Sequence, residues 1–152
     1  KAVKDAVDQA AAGTGVNVTP VVWSDVVRNG VVQSRMYIDP AKYASLTGDI
    51  KLGVELSAPS VSTLFDKYFS NNIRIVKFEH TGPFGMAIEV AVKLDLTNMN
   101  TENLYFYSYD AATNVYTPIA NPMYYIDTNG YLHFTVSNGG HVIISDGPLA
   151  RK

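Results

Sequence analysis

Asn103-Leu104-Tyr105-Phe106-Tyr107-Ser108-Tyr109, Asp110-Ala111-Ala112-Thr113-Asn114 and Val115-Tyr116-Thr117-Pro118 open a stretch that runs to Ser145 and decides the fold. The first segment alternates like a strand, the second is a turn, and the third is a short strand. Met123 to Asp127 forms the next strand, and Asn129-Gly130 is the strongest short hairpin signal in the chain. Tyr131-Leu132-His133-Phe134-Thr135-Val136 follows. After Ser137-Asn138-Gly139-Gly140, His141-Val142-Ile143-Ile144-Ser145 is the last strand. Short strands at this spacing predict an antiparallel sandwich or barrel.

Upstream, Met86 to Leu96 is the longest candidate strand, with Ile88, Val90, Val92, Leu94 and Leu96 inward and Glu89, Lys93 and Asp95 outward. Ile73 to Phe78 is another, with Ile73 and Ile75 sharing a face. Val31 to Ile38 and Ile50 to Leu56 also read as strands, and Thr81 to Gly85 as a turn. Ser24 and Asp25 can cap a helical turn through Arg28, after which Asn29-Gly30 reverses the chain. Asp39-Pro40 begins a loop or helical turn reaching Leu46.

Two segments carry helical spacing. Val3, Ala6, Val7 and Ala10 make a small apolar stripe on a helix from Lys1 to Ala12 that Gly13 and Gly15 stop. Val61, Leu64, Phe65, Tyr68 and Phe69 mark an amphipathic helix from Pro59 to Phe69, with Ser60 a candidate N-cap. The expectation is a mainly β fold, an antiparallel β-sandwich with a peripheral N-terminal helix and a second short helix near 60–70. An α+β arrangement remains open. Residues 1–152 read as one domain, with residues 1–89 supplying a helix and strands and residues 90–146 a hairpin-rich half.

Composition narrows the function classes. With 47% hydrophobic and 17% charged residues the chain is globular. Its net charge of −2 gives no reason to expect a nucleic-acid partner. It has no cysteine, so disulfides and thiolate metal sites are ruled out. No apolar run is long enough for a helical membrane span, so membrane insertion is not expected. The chain starts inside its first helix pattern, as a piece of a longer protein would.

From about Val90 to Ser145 the chain resembles a β-sandwich module that recurs in secreted and cell-surface multi-module proteins of Gram-positive bacteria. The residues that carry the resemblance are Leu94-Asp95-Leu96, Asn103 to Tyr107, Tyr109-Asp110, Asp127-Thr128-Asn129-Gly130-Tyr131 and Gly139-Gly140-His141-Val142-Ile143-Ile144. It implies an extracellular, non-catalytic setting like that of cellulosomal or adhesin proteins, with neighbouring modules or another protein as partner. It implies no catalytic residue and no cofactor.

Nothing in the chain spells out catalysis. His80, His133 and His141 lack metal-ligand spacing, and no nucleophile elbow is present. Asp127-Thr128-Asn129-Gly130 begins like a calcium loop, but position twelve is Asn138 and the glycine falls early, so a hairpin turn explains it. The expectation is therefore a non-enzymatic chain without cofactor or metal.

The one binding constellation is aromatic. Alternation places Tyr105, Tyr107 and Tyr109 on one face and Leu104 and Phe106 on the other, and puts Tyr131 with His133 opposite Leu132 and Phe134. Tyr rings about 6.5–7 Å apart along a strand approximate the repeat of a β-linked glycan. Tyr105, Tyr107, Tyr109 and Tyr131, with Trp23, are thus candidate polysaccharide contacts. The competing reading is that helices cover the Tyr face and the chain is a structural or protein-interaction module.

Overall fold

The computed structural model describes residues 22–40, 51–120 and 122–152. The expected helix over residues 1–12, and most of the expected turn after Pro40, lie outside them. Among the described residues ten strands form two five-stranded antiparallel sheets. The first sheet contains β1 (Val22–Arg28), β2 (Val31–Ile38), β5 (Pro83–Val92), β9 (Leu132–Asn138) and β8 (Tyr124–Ile126), in that order across it. The second contains β3 (Val54–Glu55), β4 (Ile73–Phe78), β10 (His141–Ser145), β6 (Tyr105–Asp110) and β7 (Val115–Pro118). A helix, α1 (Pro59–Tyr68), links β3 to β4. The fold is a β-sandwich.

The two sheets meet through alternate residues of every long strand. Met36, Ile38, Ile88, Val90, Val92, Leu132 and Phe134 of the first sheet share a buried core with Val76, Phe78, Phe106, Val142 and Ile144 of the second. Leu94 and Leu96 pack against this core as expected, although β5 ends at Val92. A second apolar layer lies on the outside of the second sheet. There Ile73, Ile75, Tyr107, Tyr109 and Ile143 are covered by Val61 and Phe65 of α1, with Phe69 just beyond it.

Several local expectations change. Val22–Arg28 is a strand with no helical turn in it, because all seven residues pair with β2 and Trp23 and Asp25 fall opposite Tyr37 and Arg35. β1 and β2 are joined by Asn29-Gly30, whose φ values of 51° and 75° are the pair a type I′ turn demands. The two-residue hairpin is therefore at Asn29-Gly30. The loop at Asn129-Gly130 is longer, held by the Asn129 and Tyr131 N–H groups donating to Asp127 Oδ1 at 2.9 and 3.0 Å.

β5 begins at Pro83, inside the expected turn, and its pairing with β9 shifts register between Pro83 and Ile88. Gly85, at φ 82°, lies within that irregularity. The strand expected over residues 50–56 contracts to Val54–Glu55. Helix α1 starts after Ala58 with Pro59 in its first turn, and no side chain caps it, so Ser60 is not the N-cap.

Candidate functional site

Alternation and register set what each sheet shows to solvent. On β6, Tyr105, Tyr107 and Tyr109 do share the outward face of their sheet, but α1 lies over it. Tyr107 and Tyr109 retain 6% and 5% of their exposure, while Tyr105 stays open at the sheet end. Phe65 meets Tyr109 edge to face at 5.0 Å, and the Tyr107 hydroxyl accepts a hydrogen bond from the Leu149 N–H at 3.1 Å. The Tyr109 hydroxyl donates to Asn114 Oδ1 at 2.8 Å. Two of the three rings are occupied by the fold, and no flat Tyr row faces solvent along β6.

The other sheet presents the remaining two sequence candidates on its outer face. Trp23, on edge strand β1, is 56% exposed. The Arg35 guanidinium lies 4.8 Å from its ring centroid. Arg35 also grips Asp25 with two hydrogen bonds of 2.6 and 2.9 Å. That ion pair holds the Asp25 carboxyl below its ordinary value, the hydrogen bond from Arg35 being the main cause. Tyr131, partly buried, donates its hydroxyl to Val32 O at 2.7 Å and ties β9 to β2. Its contribution is a strap across the sheet.

Two residues of this face, Tyr37 and Tyr125, escape sequence reasoning, and His133, expected beside Tyr131, joins them. Tyr37 stands opposite Trp23 in register, with ring centroids 6.5 Å apart. His133 stacks on Tyr37 at 6.1 Å and on Tyr125 at 4.3 Å, the latter pair within 12° of parallel. A row of rings, Trp23, Tyr37, His133 and Tyr125, thus crosses the sheet from edge strand β1 to edge strand β8. Tyr37, His133 and Tyr125 stack on one another, whereas Trp23 is tilted 57° to Tyr37, and His133 in the middle is buried. Tyr125, at the far end, is 53% exposed.

His133 is also the hub of the polar groups. Its Nδ1 lies 3.0 Å from Glu89 Oε2 and its Nε2 2.8 Å from Asp127 Oδ2. Each ring nitrogen thus faces its own carboxylate. The hydrogen bond from His133, followed by that from the Tyr131 N–H, holds the Asp127 carboxyl below its usual range. Because the two carboxylates engage opposite nitrogens, they do not converge on a common ligand position. Among the described residues no cluster of three His, Asp or Glu side chains is arranged to hold a metal ion. The signal that could have revealed the hub is register: Glu89 lies two residues from Ala91, the direct partner of His133.

The other two histidines do different work. His80 Nε2 lies 2.9 Å from Pro83 O, and the ring stacks on Phe84 at 4.9 Å, fixing the start of β5. His141 begins β10 beside Lys77, and burial, helped by that cation, pushes its imidazole below the ordinary value. It lines a cleft of about 830 Å³ together with Arg28, Glu55, Lys77, Glu79 and Asp110. Set against known protein families, curated proteins and solved structures, the chain matches none of them.

Proposed function

We propose that this chain is a non-catalytic interaction module of a bacterial extracellular or cell-surface protein, and that it docks a protein partner or a neighbouring module on the outer face of the β1-β2-β5-β9-β8 sheet. One observation carries the reading: the two sheets differ in how their outer faces are finished. α1 and the chain end cover the Tyr face of the second sheet. The first sheet instead leaves Trp23 and Tyr125 exposed at its two edges, with the paired charges of Arg35 and Asp25 beside Trp23. Exposed Trp and Tyr beside an Arg already held in place is the side-chain mix that dominates protein-interface energetics.

The bacterial extracellular setting rests on the resemblance of residues 90–145, and the mixed charge of the surface gives no footprint for nucleic acid.

Trp23 is the chain's single Trp, so it reports on this face without labelling. The test is to titrate the protein with each polypeptide encoded beside it and follow Trp emission. Docking on this face desolvates Trp23 and shifts its emission to the blue, and Tyr125→Ala weakens the response. Unchanged emission with every neighbour, despite binding measured by calorimetry, contradicts the assignment of the face.

A further inference from the structure

On the opposite sheet, at the seam between α1 and edge strand β7, five aromatic rings enclose a small open pocket of about 360 Å³. They are Phe65, Tyr68, Phe69, Tyr109 and Tyr116. Phe65 and Phe69 stack at 5.4 Å, and Tyr116 stands at 89° to Phe69 with centroids 5.6 Å apart. The rings therefore make a corner with apolar walls in two directions. Two polar side chains share the lining, Asn114 and Arg151.

Arg151 is the unusual member. Its backbone bridges to Phe69, and the bonds on either side of it, Ser70 N to Ala150 O at 2.9 Å and Lys152 N to Tyr68 O at 3.0 Å, hold it at the pocket. The guanidinium lies 6.0 Å from the Phe69 ring centroid and meets no carboxylate among the described residues. An apolar, aromatic-walled pocket with a few convergent polar groups has the form of a small-ligand site. An exposed guanidinium with no carboxylate partner among the described residues is open to an anion, and its fork matches a carboxylate.

We propose that this pocket binds a carboxylate-bearing pyranose, the uronate unit of an acidic polysaccharide. The sugar's C–H faces lie against Tyr68 and Tyr116, its carboxylate pairs with Arg151, and Asn114 and the Tyr68 hydroxyl meet its hydroxyls. The occupant is a sugar because the exposed Tyr68 and Tyr116 rings offer apolar surface for C–H groups and Arg151 and Asn114 lie beside them, as an amphipathic ring requires, while Phe65, Phe69 and Tyr109 are buried. The site shares no residue with the first sheet's outer face, so each assignment stands or fails alone.

The test is calorimetric titration of the protein with trigalacturonic acid and, separately, with an alginate trimer. Saturable binding of at least one is expected. Arg151→Gln weakens it by about tenfold or more, as loss of a charged hydrogen-bonding partner does. The methyl ester of the same trisaccharide shows the same loss on the wild-type protein. Tyr68→Ala, a change at an exposed ring that leaves the circular dichroism unaltered, weakens binding without abolishing the charge dependence. The proposal is overturned if neither trimer binds, if Arg151→Gln binds as the wild type does, or if the ester binds as well as the acid. It is equally overturned if only acidic peptides, and no uronate, bind in an Arg151-dependent way.

Discussion

Phe65 of α1 stands edge-on to Tyr109 of β6 at 5.0 Å, and this contact closes the outer face of the second sheet. Phe65 is almost wholly buried among Tyr107, Tyr109, Ile75 and Ile143. Phe65→Ala is expected to cost about 3–5 kcal/mol, the range for a large aromatic removed from a packed layer. Chemical denaturation measures the loss. Tyr107→Phe removes only the acceptor for the Leu149 N–H and is expected to cost about 1 kcal/mol.

Ser34 faces the core at 1% exposure, and its hydroxyl has no hydrogen-bond partner. Removing a buried unsatisfied group recovers its desolvation cost. Ser34→Ala is expected to stabilise the protein by about 1 kcal/mol, read as a higher denaturation midpoint at unchanged slope.

The polar hub around His133 gives an acid-side signature. Asp127 is held below its ordinary value of 3.8, so unfolding takes up a proton when the pH lies between its folded and unfolded values. Its stabilisation is complete above the unfolded value and is lost as pH falls through the folded one. Asp127→Asn is expected to flatten the fall in stability below about pH 4, and a urea midpoint series at stepped pH measures this.

His141 acts in a higher window. Burial beside Lys77 lowers its value from 6.5, so the unfolded chain binds the proton more readily. Stability from the neutral imidazole is whole above 6.5 and declines as pH falls through the folded value. His141→Gln is expected to reduce the slope of stability against pH just below 6.5 while leaving the acid limb due to Asp127 in place.

Much of the fold is visible in residue order because period-two alternation is a local property. Leu132 and Phe134 inward with Tyr131 and His133 outward, and Ile73 with Ile75 on one face, follow from it directly. Val22–Arg28 misled because Ser24-Asp25 has the form of a helix cap, whereas the strand is imposed by pairing with β2. The site was harder to read. Outward on β6 is not exposed, since α1 arrives from a different part of the chain to cover Tyr107 and Tyr109. The Trp23, Tyr37, His133 and Tyr125 row joins two strand pairs distant in sequence, β1–β2 and β8–β9, with β5 between them, so only register brings it together.

Hydroxyl-radical footprinting read by mass spectrometry tests the two faces directly, first on the protein alone and then with its docking partner bound. Trp23 and Tyr125 are expected to be labelled in the free protein and protected in the complex, with Tyr107 and Tyr109 unlabelled in both. Labelling of Tyr107 and Tyr109 in the folded protein, or equal labelling of Trp23 and Tyr125 with and without the partner, contradicts the account.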